Sequence, residues 1–315
     1  MRPLVFLRKT PNIDFMRLHK AGFVFSSLLG LVSVVMFLTT GLNYGIDFKG
    51  GVLIEVRAVH GPADLAAMRG KLDALGFGET SLQSFGGPDE VLIRLPQQPG
   101  GDTGQQVAVN KVRAALGGGI EFRRTEVVGP TVGQELVRAG VLATVLALVA
   151  IAAYVWFRFE WQFGVGAMIS TLHDVLTTVG LFAVLQLEFN LTTLAAILTI
   201  AGYSINDTVV IYDRVRESMR KYKSMDLKTL INLSLNETLS RTILTVSTVA
   251  LAALSLLIFG GEVLRGFSIA MLWGVGIGTY SSLFIAAPLL YYIRPRRGRT
   301  TDKAAEPGVG AKPAS

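Results

Sequence analysis

The chain has 315 residues, is 50% hydrophobic, carries only 17% charged residues and has a formal net charge of +7. With a mean hydropathy of +0.48 and a charged share below the ~25% usual for soluble domains, it reads as a polytopic α-helical membrane protein. Its basic residues gather in blocks beside hydrophobic runs, which is a topology signal and speaks against nucleic-acid binding. Cysteine is absent, which excludes disulfides, thiolate metal sites and thiol nucleophiles. Three scattered histidines (His19, His60, His173) make no metal cluster, so no metal, cofactor or catalytic site is expected.

Residues 1–20 are basic (Arg2, Arg8, Lys9, Arg17, Lys20) and lead into an uncharged run, 21–43. A basic start before an apolar stretch is also the mark of a signal peptide. Here the run is ~20 residues rather than 7–15 and no clear A-x-A site follows, so an uncleaved first spanning helix is the expectation.

Residues 44–137 differ in texture. GVLIEVRAV (Gly51–Val59) alternates as a strand does, and Pro62–Gly76 has helical spacing, with Pro62 suited to a first turn and Gly76 to a stop. TSLQSF and EVLIRL, split by GGPD, read as a hairpin. Gly104–Gly118 is a second helix and IEFRRTEVV a last strand. The order β-α-β-β-α-β predicts one ferredoxin-like α+β domain between the first and second spanning helices.

Residues 138–293 return to the membrane in five more runs: Ala139–Phe157, Phe163–Leu187, Leu191–Tyr212, Thr242–Gly261 and Gly266–Tyr292. Six spanning helices are therefore predicted. Arg214–Arg241 and the tail 294–315 are rich in Lys and Arg, whereas the loops around Glu188 and Glu262–Arg265 are nearly free of them. The positive-inside rule then puts both termini in the cytoplasm and the ferredoxin-like domain outside. The final stretch is expected to be disordered.

The fourth run, LTTLAAILTIAGYSINDTVVIY, holds a single charge, Asp207, in twenty-two residues, enough to cross a ~30 Å hydrocarbon core. A carboxylate there costs roughly 2.5–3.5 kcal/mol even on mild insertion scales, so it normally faces a partner or water. A residue that simply reaches the interface is the plainer alternative. Arg241, opening the fifth run after a loop of ~25 residues, is the expected counter-ion. A static Asp–Arg pair would only hold helices together. Proton transport needs an acid whose proton affinity changes as its partner moves or water enters. Ser204 and Asn206 flank Asp207 as candidate hydrogen-bond partners. Thr242, Thr245, Ser247 and Thr248 can line a wet path or, more commonly, bond backbone. Asp174, after His173, is the most deeply placed acid by count, and reads equally as a relay site or a packed polar anchor. Gly274, Gly276 and Gly278 are a packing signal. In Gly45–Gly51 the glycines suggest a phosphate cradle, but G-x-x-x-x-G-K-[ST] is absent; a turn placing the outer domain on the membrane is the physical reading.

These stretches resemble the SecD–SecF family of bacterial protein export, and its smaller subunit in particular. GIDFKGG (Gly45–Gly51) is similar to the family signature after the first helix, with Gly45, Asp47, Phe48, Gly50 and Gly51 as its hinge or signature residues. GYSINDTVVIYDRVRE (Gly202–Glu217) is similar to the fourth-helix motif, reading Asn-Asp-Thr where SecD reads Asp-Ala-Asn. TLHDV (Thr171–Val175), SRTILT (Ser240–Thr245) and FGGEVLRGF (Phe259–Phe267) follow in family order. The resemblance implies a subunit that draws on the proton-motive force for late, periplasmic-side steps of preprotein translocation, within a superfamily of proton-coupled pumps (the RND type). It implies a proton pathway through Asp207 and Arg241, to which Asp174 is added, and a location in the bacterial inner membrane. SecD, the SecYEG translocon, YajC and unfolded preprotein are the implied partners. Two other classes stay open from the residues: half of a lipid or small-molecule pump, and a passive translocon scaffold.

Overall fold

The computed structural model describes residues 11–295. The first half of the basic N-terminus and most of the tail, including Arg296, Arg297 and Arg299, lie outside the described residues. Helix α1 (Phe15–Thr39) is followed by a two-residue strand β1 (Asn43–Tyr44), a short helix α2 (Ile46–Lys49) and strand β2 (Gly51–Ala58). Then come α3 (Leu65–Asp73), β3 (Ser81–Phe85), β4 (Gly87–Leu95), α4 (Gly101–Leu116) and β5 (Ile120–Val128). The rest of the chain is helical apart from β6 (Glu188–Phe189): α5 (Pro130–Arg158), α6 (Trp161–Leu185), α7 (Leu191–Lys221), α8 (Leu227–Phe259), α9 (Gly261–Ser281), a π-helical segment Ser282–Ala286 and α10 (Ala287–Ile293). Among the described residues six helices are long and apolar enough to cross a membrane; the last runs Val263–Ile293 through the π segment.

The helices are longer than their apolar runs. Asp14 caps α1 by accepting the Arg17 N–H at 3.0 Å, so that helix starts before the run at Ala21. The first two turns of α5 lie in the stretch that the sequence assigns to the outer domain. Helix α7 continues to Lys221, and Asp226 caps α8 through the Lys228 and Thr229 N–H groups, so only 222–226 separates them. The fifth helix therefore does not open at Arg241, and the expected ~25-residue loop is two helical extensions. These extensions are charged and hydropathy alone does not register them. They are held by packing and by pairs such as Arg214–Glu237 at 2.6 Å.

The sheet between α1 and α5 has the order β3-β4-β2-β5, antiparallel throughout. Period-2 alternation places Val52, Ile54 and Val56 of β2 and Val91, Ile93 and Leu95 of β4 on one face. These pack on Met68 and Leu72 of α3 and on Val109, Val112 and Leu116 of α4 in one core. Asp64 caps α3, Gly76 follows it at φ 68°, and Gly86 (φ 69°) makes the β3–β4 turn. The opposite face, with Leu53, Glu55, Leu92 and Arg94, looks onto the connector 186–190 and the start of α9 across a crevice of about 490 Å³.

In the membrane bundle α1 packs on α6 through small residues: Ser33 fills the space where Gly180 has no side chain. Gly274 likewise leaves room for Ile200, and Gly278 for Ser204, bringing α9 close to α7. Gly276 faces open space. Of the three glycines in the packing signal, the two spaced i, i+4 make the contact, as one helix face requires.

Candidate functional site

The polar residues of the bundle fall on two faces of α7. Ser204, Thr208 and Tyr212 recur every four residues and point at α9 and the segment after it. Ser204 Oγ donates to Asp174 Oδ2 at 2.5 Å, and Ser281 Oγ donates to the same oxygen at 2.7 Å. Ser170 Oγ in turn donates to Ser281 Oγ at 2.8 Å. One turn further, Thr208 and Ser282 share a hydroxyl bond of 2.7 Å. Beyond that, Tyr212 donates to the Ala286 carbonyl at 3.0 Å. Ser282 and Ala286 are the two ends of the π-helical segment, a kind of single-turn bulge frequent at functional sites.

Asp174 lies at the centre of the first layer, on α6. It is 0% exposed, and its second oxygen, Oδ1, lies 3.0 Å from His173 Nδ1. Two hydroxyl donors, from α7 and α9, and an imidazole nitrogen of α6 thus converge on one carboxyl. The sequence singled out Asp174 and Ser204 but joined Ser204 to the wrong acid, and it passed over Ser170, Ser281 and Ser282. For Ser281 and Ser282 a signal was available, two adjacent serines in the mostly apolar sixth run.

Asp207 sits on the next face of α7, toward α8. Its exposure is 7%. Oδ1 accepts a 2.7 Å bond from Thr242 Oγ1, whereas Oδ2 is buried without a partner among the described residues. A buried oxygen left unsatisfied carries a desolvation cost of roughly 1–3 kcal/mol, more if charged.

Two expectations are corrected here. First, Arg241 makes no direct ion pair with Asp207 among the described residues, although its charge acts on that carboxyl through space. Thr242 faces α7 and is buried, and Arg241, about 100° round the helix, is exposed at the side of the bundle. Second, Asn206 is exposed and turned away from Asp207 by the same geometry. Of the hydroxyls on α8, Thr245 and Thr248 bond the backbone of the preceding turn, at 2.8–3.1 Å.

The residues of Gly45–Gly51 gather at the other end of α7. Asp47 Oδ2 accepts the N–H of Leu191, the first residue of α7, at 2.9 Å. Gly45 donates to the Phe189 carbonyl at 2.9 Å, extending the parallel pairing of β1 with β6. Phe48 packs against Phe189, with ring centroids 5.8 Å apart. Gly50 and Gly51 have φ of 73° and 126°, a region that penalises any side chain, and Gly51 passes directly under the Leu95 carbonyl. Arg94 of β4 forms an ion pair with Glu188. Burial pushes the Glu188 carboxyl up from its ordinary range; Arg94 opposes the shift, and Asp47 and Glu126 add to it.

Known proteins carry the same organisation. Residues 108–296 match the family described as protein export membrane protein SecD/SecF, C-terminal, and residues 35–60 match the SecD/SecF GG motif. The protein translocase subunit SecF of Rickettsia rickettsii (strain Sheila Smith) is 46% identical over 295 residues, covering 91% of this chain and 94% of that protein. Its counterpart in Rickettsia felis is 45% identical over 299 residues, covering 94% of this chain and 96% of that protein. The crystal structure of SecDF from Thermus thermophilus, described as a translocon-associated membrane protein, is similar with a TM-score of 0.79 and 36% identity over 91% of this chain. This chain spans 39% of that longer one. A second SecDF structure, in a super-membrane-facing form, gives a TM-score of 0.69 and 35% identity.

Proposed function

The chain belongs to the SecD/SecF family of protein-export membrane proteins, on its SecF side, and from that premise we propose that it uses the proton-motive force to drive late, periplasmic-side steps of Sec-dependent preprotein translocation. The observation that carries this reading is Asp207. It is a carboxyl inside a membrane helix with one oxygen held by Thr242 and the other buried without a partner among the described residues. Such a group gains or loses a proton as its surroundings are wetted or approached by charge, and so suits a proton-binding site better than a fixed strut does.

Arg241 enters the proposal as an element that needs a partner. A guanidinium on the outer surface of an apolar helix is costly against lipid, and a second membrane subunit bearing acids is the natural cover. SecD is that subunit in this reading, with the SecYEG translocon, YajC and the unfolded preprotein as the further partners. Asp174, met by Ser204, Ser281 and His173, is read as the anchor that fastens α6, α7 and α9, leaving proton exchange to Asp207.

In this reading the protein resides in the bacterial inner membrane with both termini in the cytoplasm. The sheet then lies outside as a ferredoxin-like domain; the order β-α-β-β-α-β and the antiparallel sheet order β3-β4-β2-β5 support that fold. The scarcity of basic residues near Glu188 and the Lys and Arg of Arg214–Lys228 support the orientation.

The test is proton-gradient-dependent export in membranes carrying Asp207→Asn, with SecD present and subunit levels matched. The gradient-dependent part is expected to disappear while assembly stays intact. Unchanged export would leave a passive scaffold, because asparagine still accepts the Thr242 bond yet cannot ionise.

A further inference from the structure

The root of the outer sheet is fastened to α7 at several points and is not a free swivel. Asp47 takes the Leu191 N–H at 2.9 Å, while Asn190 takes the Thr193 N–H at 2.9 Å, so α7 has one cap from its own sequence and one from the chain far upstream. The next residues after Asp47 lead directly into β2, and Gly51 already pairs with Val128 of β5. On the other side Gly133 of α5 comes close to the backbone: a β-carbon there would lie 3.4 Å from Gly50 N and 3.5 Å from the Phe48 carbonyl. The four-stranded sheet, α5 and the start of α7 therefore share one small turn. Arg94 bridges the crevice to Glu188 as a second tie. From Leu191 the helix runs without proline to Lys221, and Asp207 lies about 24 Å along it.

We propose that Asp47 is a positioning residue that locks the first turn of α7 to the root of the outer sheet, so that a displacement of the sheet is carried along α7 to the turn holding Ser204 and Asp207. A continuous helix passes on axial and rotational shifts with little loss. Ser204 and Asp207, about 60° apart round the helix, meet Asp174 and Thr242 on adjoining faces, so a small shift changes which of the two acids is fully hydrogen-bonded. This inference rests on Asp207 being a proton site, and its test separates the two.

Two readouts are needed, both on the full chain with SecD in membranes. Without cysteines of its own, the chain accepts spin labels at Ser81→Cys on β3 and Ala195→Cys at the start of the second turn of α7, both exposed positions. Asp47→Ala is expected to broaden the distance distribution between the labels and to lower gradient-dependent export by about fivefold, the equivalent of one lost cap. Gradient-independent export and subunit levels should stay unchanged. Asp47→Asn, which keeps an oxygen for the Leu191 N–H, is expected to restore the narrow distribution and most of the export. An unchanged distribution in Asp47→Ala overturns the proposal, as does an Asn variant no better than the Ala variant. A distribution that broadens in Asp47→Ala and narrows in Asp47→Asn supports the fastening even where Asp207→Asn retains gradient-dependent export, a result that defeats the proton reading alone.

Discussion

Two carboxyls sit in the same bundle under opposite conditions. Asp174 is met by Ser204, Ser281 and His173, and both of its oxygens are used. Asp207 has Thr242 on one oxygen, no partner on the other among the described residues, and an exposed arginine beside Thr242 on the neighbouring helix. A fully satisfied buried carboxyl gives rigidity and uniqueness of packing, and changing its charge state disturbs every partner at once. A half-satisfied one is a site where a proton, a water or another subunit finishes the coordination. In the proposed reading the difference separates an anchor from an exchanger, although both acids are equally out of place in an apolar helix.

The largest effect is expected from exchanging the charges one at a time. Asp207→Asn should bring export down to its gradient-independent level, and Asp174→Asn should keep most of the gradient-dependent part; equal losses in the two variants would erase the distinction. Next, Asp174→Leu leaves the hydroxyls of Ser204 and Ser281 without their acceptor in a dry layer. A loss of about 2–4 kcal/mol is expected in denaturant unfolding from detergent, and a loss below that of Asp174→Asn would remove the anchor role.

Packing gives a sharper and smaller contrast. Gly274→Ala drives a methyl into Ile200 at the α7–α9 contact, with about 1–3 kcal/mol of overpacking expected, whereas Gly276→Ala, two residues on and facing open space, should be close to neutral. Similar melting shifts in the two would show that the helices do not pack this closely. Thr242→Val removes the hydroxyl that donates to Asp207 and is expected to cost about 1 kcal/mol, the scale of a single interhelical bond in a membrane.

The smallest effect concerns pH. The folded state holds the Glu188 proton to higher pH than an unfolded chain does, because burial raises its carboxyl. The folded protein therefore binds more protons between the ordinary glutamate range and the raised value, and stability falls as pH rises through that window. Glu188→Gln should flatten this fall in a melting-temperature series across mildly acidic pH, and a slope identical to that of the unsubstituted protein would show that Glu188 titrates normally.

Much was legible in the sequence because it rests on composition and period. A run of ~20 uncharged residues has few alternatives to a spanning helix, which makes six such helices readable. The alternation of Gly51–Val59 and of EVLIRL likewise puts β2 and β4 where they are found. Helix ends were less legible. The turns from Asp213 to Lys221 are charged and those from Leu227 to Arg241 are amphipathic, with Leu230, Ile231, Leu235 and Leu239 in the core, so neither extends a continuous apolar run. That error also misplaced Arg241, because a residue at a helix start has a freer reach than one fifteen positions inside it.

The sequence by itself determined that an acid lies in the fourth membrane helix, that small residues recur in the sixth, and that the glycines of Gly45–Gly51 mark a turn. Hydrophobicity, charge cost and glycine conformation are local properties and can be read residue by residue. Only the tertiary structure decided which hydroxyl meets which acid. Ser204 lies three residues from Asp207 in the chain, yet it serves Asp174 on another helix. Thr242 adjoins Arg241, yet it takes the carboxyl that the arginine was expected to hold. Helix rotation sets these choices, and rotation is fixed by how α6, α7, α8 and α9 pack around Gly274 and Gly278, a many-body fit that no single segment carries.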